Sequence, residues 1–257
     1  FNHFLLQGWF IAERTKISLV IALPLLLAFT ISTLQHKTSV KKGLALISLT
    51  LFFFNGGGGV PLYGGMLLAF FLALLFFGSF QIKINGKREI KRMFLFSFGI
   101  LGSFILVNAY WVIPILSGIF TSYRQNISTI GGISGIIAWS SAVSQFASYL
   151  NLFRLQGIPD WYGNPLHPYS NIFLTNPFFV LAGFFIPLIV FSSLFIVKKY
   201  TQHLQIVLFF ILLALIAIIF TAGSHPPFGF VYNFFLSVVP GFAVFRTPFY
   251  KFAPALW

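Results

Sequence analysis

Apolar residues run in long blocks along this chain, and the polar positions collect in the gaps between them. A helix needs about twenty apolar residues to cross a hydrocarbon core of about 30 Å. The blocks predict transmembrane helices over 17–34, 43–54, 62–80, 94–116, 172–197 and 204–222, with another starting at 249. The expected fold class is all-α, a polytopic transmembrane helical bundle with long extracytoplasmic loops, the longest over 117–171. The sequence opens at Phe1 without a charged leader and stops at Trp257 as a new apolar segment begins. It therefore reads as one transmembrane domain, 1–257, that is a fragment of a larger fold.

Composition agrees with the pattern. With 58% hydrophobic, 20% aromatic and only 7% charged residues, there is too little polar surface to coat a soluble globule of this length. The net charge of +13 would suit nucleic acid, whose phosphates recruit clustered Lys and Arg. Here the cations flank membrane-length blocks, and no basic face is interleaved with base-stacking aromatics. The expected partner is membrane lipid, with no nucleic acid.

The cations also alternate. Lys37, Lys41 and Lys42 occupy one junction, Lys83, Lys87, Arg88, Lys91 and Arg92 a second, and Lys198 and Lys199 a third. The junctions between these hold only Arg124, Arg154 and Arg246. By the positive-inside rule the basic junctions are cytoplasmic and the others face outward.

Few residues offer chemistry. There is no cysteine, so thiolate metal sites and cysteine nucleophiles are excluded. Glu13 and Glu89 sit beside cations, where a solvated ion pair is the expectation. The remaining acid, Asp160, lies in Gly157-Ile158-Pro159-Asp160-Trp161-Tyr162-Gly163-Asn164-Pro165-Leu166-His167-Pro168. That stretch gathers a carboxylate, two aromatic faces and an imidazole, a set that suits a sugar ring, although Asp between Pro and Gly is also a turn former. Trp161, Tyr162 and His167 are candidates for a sugar or acceptor cleft. His3, His36, His203 and His225 lie singly near span ends and are expected at the interface. No cofactor is expected, and a divalent metal stays open, since no ligand spacing marks one. The glycine run from Asn55 to Gly59 reads as a tight turn or a phosphate nest, with no Lys or Ser/Thr following as a nucleotide loop requires. Asn126-Ile127-Ser128 matches the N-glycosylation pattern. Arg246, preceded by an apolar stretch over 228–239 that could lie as an interfacial helix, can grip a phosphate at the membrane surface, with Lys251 as a second charge. It can equally anchor the chain at the interface.

The segment Phe245-Arg246-Thr247-Pro248-Phe249-Tyr250-Lys251 resembles the Phe-Arg-x-Pro-x-x-Lys pattern that opens a late helix in C-type (GT-C) integral-membrane glycosyltransferases, in their arabinofuranosyltransferase-like and YfhO-type branches. Asn108-Ala109-Tyr110-Trp111-Val112-Ile113-Pro114 and Ser148-Tyr149-Leu150-Asn151-Leu152-Phe153-Arg154-Leu155-Gln156-Gly157 are similar to the same group. The resemblance implies a GT-C-like fold that transfers a sugar from a polyprenyl-phosphate donor to an extracytoplasmic glycan, lipid or protein acceptor. It also implies a prokaryotic plasma membrane and a role in the cell envelope. Arg246 and Lys251 then contact the donor phosphate, and Arg154, Trp161, Tyr162 and His167 complete the substrate-binding set. The catalytic carboxylate of such families lies in the first outer loop, expected upstream of Phe1, which leaves Asp160 as the acidic candidate within this stretch. A transporter or lipid-linked-sugar flippase and a non-catalytic scaffold are the alternatives, the transporter disfavoured by the lack of charge within the spans.

Overall fold

The computed structural model describes residues 14–54, 64–110, 112–114, 117, 131–154, 156–162, 170–197, 201–239 and 241–256. Among them secondary structure is helical throughout, without a strand. The described residues divide into two compact units, one over 14–117 and one over 131–256.

Among the described residues of the first unit, four long helices form a bundle: α1 (Arg14–Leu34), α2 (Val40–Phe53), α3 (Gly64–Asn85) and α4 (Lys87–Val107). Helices α1 and α4 each pack against both α2 and α3. Ser39 starts α2 by accepting a hydrogen bond from the Lys42 N–H, satisfying a donor that the first turn leaves orphaned. The expected junction over 81–93 is almost entirely helical. Gly86 alone interrupts it, at φ 70°, a conformation that costs glycine nothing. Gly78, eight residues before that break, and Met93, seven residues after it, face each other, so α3 folds directly back onto α4. Close approach elsewhere depends on small residues, as lipid-solvated bundles require: a Cβ on Gly43 would stand 2.1 Å from Thr33 Oγ1, and one on Gly99 2.6 Å from a Leu44 methyl.

The second unit comprises α5 (Gly132–Ser144), α6 (Tyr149–Phe153), α7 (Ser170–Thr175), α8 (Pro177–Val197), α9 (Thr201–Ala222), α10 (Gly229–Val238) and α11 (Pro248–Phe252), with 3-10 turns at Pro159–Trp161, Phe242–Phe245 and Ala253–Ala255. Helix α9 is its hub, packing on α6, α8, α10 and α11. Asn176 caps α8 through the Phe178 N–H at 2.9 Å, and Pro177 follows at the position where its missing N–H costs nothing. The expected span over 172–197 is thus cut in two at Asn176.

Among the described residues, four helices are long and apolar enough to cross a membrane: α3, α4, and the segments Pro177–Phe195 of α8 and Leu204–Ala222 of α9. The expected span over 43–54 is instead part of the 14-residue α2, too short for a perpendicular crossing. The described residues of the stretch 117–171 include α5, α6 and a 3-10 turn. Its helicity is concealed because α5 buries Ile136, Ser140 and Ser144 on one stripe and exposes Ile133 and Trp139, the reverse of a soluble amphipathic helix.

Surface chemistry shows what solvent these helices meet. Phe178, Leu181, Phe185, Leu188, Ile189 and Phe195 of α8 are 63% to 84% exposed. At roughly 1.5–3 kcal/mol lost per large apolar side chain left in water, α8 alone would cancel the 5–15 kcal/mol that typically stabilises a domain. The molecule is an all-α membrane protein.

Candidate functional site

Residues 146–162 form a compact polar knot in the second unit. Ser148 caps α6 by accepting from the Asn151 N–H at 3.3 Å. Asn151 donates through Nδ2 to the Phe146 carbonyl at 2.9 Å and accepts from Arg154 Nη2 at 2.7 Å. Gly157, at φ 113°, lets the chain pass so close that a Cβ there would lie 3.3 Å from the Phe146 carbonyl oxygen. Gln156 then donates to the Phe173 carbonyl at 3.1 Å, and Ser170 to the Trp161 carbonyl at 2.9 Å, clamping the knot to α7.

The candidate residues of this stretch take distinct places. Asp160 Oδ2 accepts a hydrogen bond of 2.5 Å from the Tyr250 hydroxyl of α11. Trp161 is buried at 2% exposure, with its ring 6.0 Å from that of Phe173; it supports the site from within the core. Tyr162 stacks on Phe146 with centroids 4.2 Å apart and planes parallel to 1°. Burial pushes its phenol above the usual 10.0, against a smaller lowering by the Arg154 charge. His167 lies outside the described residues, as do Glu13, Asn126, Lys198, Lys199 and the glycine run after Asn55.

Arg154 is 9% exposed and packs against α8, where a Cβ on Gly183 would stand 3.1 Å from the Arg154 Cβ. Among the described residues, its Nε, the Gln156 Oε1 and the Tyr162 hydroxyl are buried without a hydrogen-bond partner. Among the described residues no carboxylate pairs with Arg154, and a buried guanidinium without a counter-charge is costly, so this part of the knot is electrostatically suited to an anion.

Arg246 is exposed on a rigid foundation. The buried Tyr232 hydroxyl donates to the carbonyl of Phe245, the residue before it. The rings of Phe220, Tyr232, Phe235, Phe242, Phe245 and Phe252 interlock around that bond at centroid distances of 5.2–6.4 Å. Pro248 opens α11 at its first position, and Lys251 lies in the last turn. The stretches 148–157, 157–162 and 245–251 thus belong to one unit, and Tyr250 ties the last two together.

Sequence reasoning passed over Tyr250, a variable position of the late-helix motif. It also passed over a network in which the Ser224 hydroxyl donates to Asn233 Oδ1 at 2.6 Å and lies 2.8 Å from Ser140 Oγ, while its N–H donates to Ser144 Oγ at 3.3 Å. The four-residue spacing of Ser140 and Ser144 was the available signal.

Glu89 requires a correction. It is buried at 6% exposure and pairs with Arg92 at 3.0 Å and His36 at 3.1 Å, rather than forming a solvated pair with Arg88 or Lys91. Three residues along a helix share a face, whereas one or two do not. Among the described residues no three of His, Asp and Glu gather as a metal site.

The helices define the class of the molecule, an all-α membrane protein with four helices of crossing length among its described residues. No protein family, characterised protein or solved structure matches the chain.

Proposed function

We propose that this chain belongs to a membrane glycosyltransferase that moves a sugar from a polyprenyl-phosphate donor to an extracytoplasmic glycan, lipid or protein acceptor. The observation that supports this most is the Tyr250–Asp160 hydrogen bond. It joins the late-helix motif carrying Arg246 to the aromatic stretch around Trp161 and Tyr162, two features separated by some ninety residues of sequence.

In this reading Arg246 binds the donor phosphate bidentately, with Lys251 on the following helical turn. Fixed cations there offset charge that develops on the departing lipid phosphate. Arg154, Gln156 and Tyr162 supply a cation and hydroxyl-binding groups to the cleft. Asp160 is engaged by Tyr250 and holds the cleft in shape, and the base that deprotonates the acceptor is a carboxylate other than Asp160. The basic junctions face the cytoplasm of a prokaryotic cell, and the site faces outward.

The test is sugar transfer from a polyprenyl-phosphate donor by the whole protein carrying Arg246→Ala. Loss of a charge-assisted phosphate contact lowers kcat/KM by about tenfold to a hundredfold, the equivalent of roughly 1.5–3 kcal/mol, with Arg246→Lys in between. Transfer and donor affinity unchanged by Arg246→Ala would remove the phosphate role and favour a scaffold or transporter.

A further inference from the structure

The two basic junctions of the first unit meet at one end of its bundle. His36, just past α1 and at φ 61°, directs Nε2 to 2.8 Å from Arg92 Nη1, 3.1 Å from Glu89 Oε1 and 3.4 Å from Asn85 Nδ2. Arg92 also donates to the Thr33 carbonyl, closing the end of α1. This small cluster draws Lys37, Lys41 and Lys42 to the same end as Lys83, Lys87, Arg88 and Lys91, and all seven are exposed. Glu89, the one acid among the described residues of this unit, is buried and already paired. The field at this end is therefore uniformly positive. Exposed apolar side chains adjoin it directly: Phe80 and Ile84 flank Lys83 on α3, and Ile90 and Phe94 flank Lys91 and Arg92 on α4.

We propose that this end of the bundle is a docking surface for anionic phospholipid headgroups. Several point charges spread over two junctions, standing where apolar side chains begin, match the layer of phosphates above a hydrocarbon edge. A discrete soluble anion would instead require a recess with inward-pointing donors, whereas these cations project from exposed positions on separate elements. Arg92, held by Glu89 and Thr33, is structural and lies outside the docking set.

The experiment reconstitutes the whole protein in bilayers of phosphatidylcholine with spin-labelled phosphatidylglycerol or spin-labelled phosphatidylcholine as the probe. The motionally restricted fraction then reports headgroup preference. The surface predicts a preference for phosphatidylglycerol of about threefold or more at low salt, falling as salt rises. Two variants, Lys37/Lys41/Lys42→Gln and Lys83/Lys87/Arg88/Lys91→Gln, each lower it, because both groups serve one surface. These positions are exposed, and unchanged helical circular dichroism verifies that the bundle persists. Equal restriction of the two lipids, or a preference that survives both variants, would overturn the proposal. So would displacement of phosphatidylglycerol by millimolar inorganic phosphate at constant ionic strength, which would identify a site for a free phosphorylated ligand. None of these readouts depends on sugar transfer.

Discussion

At the scale of single residues, the account depends on polar groups whose partners are distant in sequence. The Asp160–Tyr250 bond is the clearest case. Asp160→Asn and Tyr250→Phe are each expected to destabilise the second unit by about 1–2 kcal/mol, and the double variant by clearly less than their sum, since both remove one interaction. Additive losses in detergent melts would show that the two side chains do not cooperate. Tyr149 and Tyr162 give a pH dependence. Burial is the larger influence on both and raises their phenols above 10.0, with smaller lowerings from the Phe228 backbone and from Arg154 respectively. As pH rises past 10 the unfolded chain ionises first and binds fewer protons than the folded one, so stability falls from there through the folded values. The double variant Tyr149→Phe/Tyr162→Phe should therefore lose less melting temperature between pH 9 and pH 11 than the parent; parallel curves would contradict this.

At the scale of helices, contact surfaces shaped by small residues explain both the packing and its vulnerability. Gly43→Ala drives a methyl into Thr33 Oγ1, which is itself bonded to the Phe29 carbonyl at 2.8 Å. The expected cost is about 1–3 kcal/mol of overpacking, measured as a loss of melting temperature, while Gly102→Ala, with nothing within 4 Å, stays close to the parent. Equal behaviour of the two would contradict the packing described for α1 and α2. These elements also show what the sequence could convey. Apolar blocks located α3, α8 and α9 because lipid-facing and core-facing residues are alike apolar there, so the block persists over the whole helix. Its ends were less legible, since α3 and α4 continue through charged residues to Asn85 and from Lys87, where helix propensity outlasts hydropathy. Helix α5 escaped because its buried stripe carries Ser140 and Ser144, whose hydroxyls bond Ser224, some eighty residues away in the chain. At the candidate site, Arg246 was legible as a lone cation after an apolar stretch. The burial of Arg154 against Gly183 and the link to Tyr250 were not, because both arise from contacts between segments far apart in the chain.

At the scale of the whole molecule, the charge distribution and the apolar helices bear on the proposed orientation, in which the basic junctions lie on the cytoplasmic side of the membrane and the candidate site outside. The native sequence contains no cysteine, so single cysteines can be introduced without interference from this stretch. The most direct measurement compares Lys87→Cys and Arg246→Cys in intact cells, using a membrane-impermeant maleimide before and after permeabilisation. The account predicts that Arg246→Cys labels in intact cells and Lys87→Cys only once the membrane is opened. Labelling of both positions from the same side, or of Lys87→Cys alone in intact cells, would contradict the orientation and with it the outward-facing transferase.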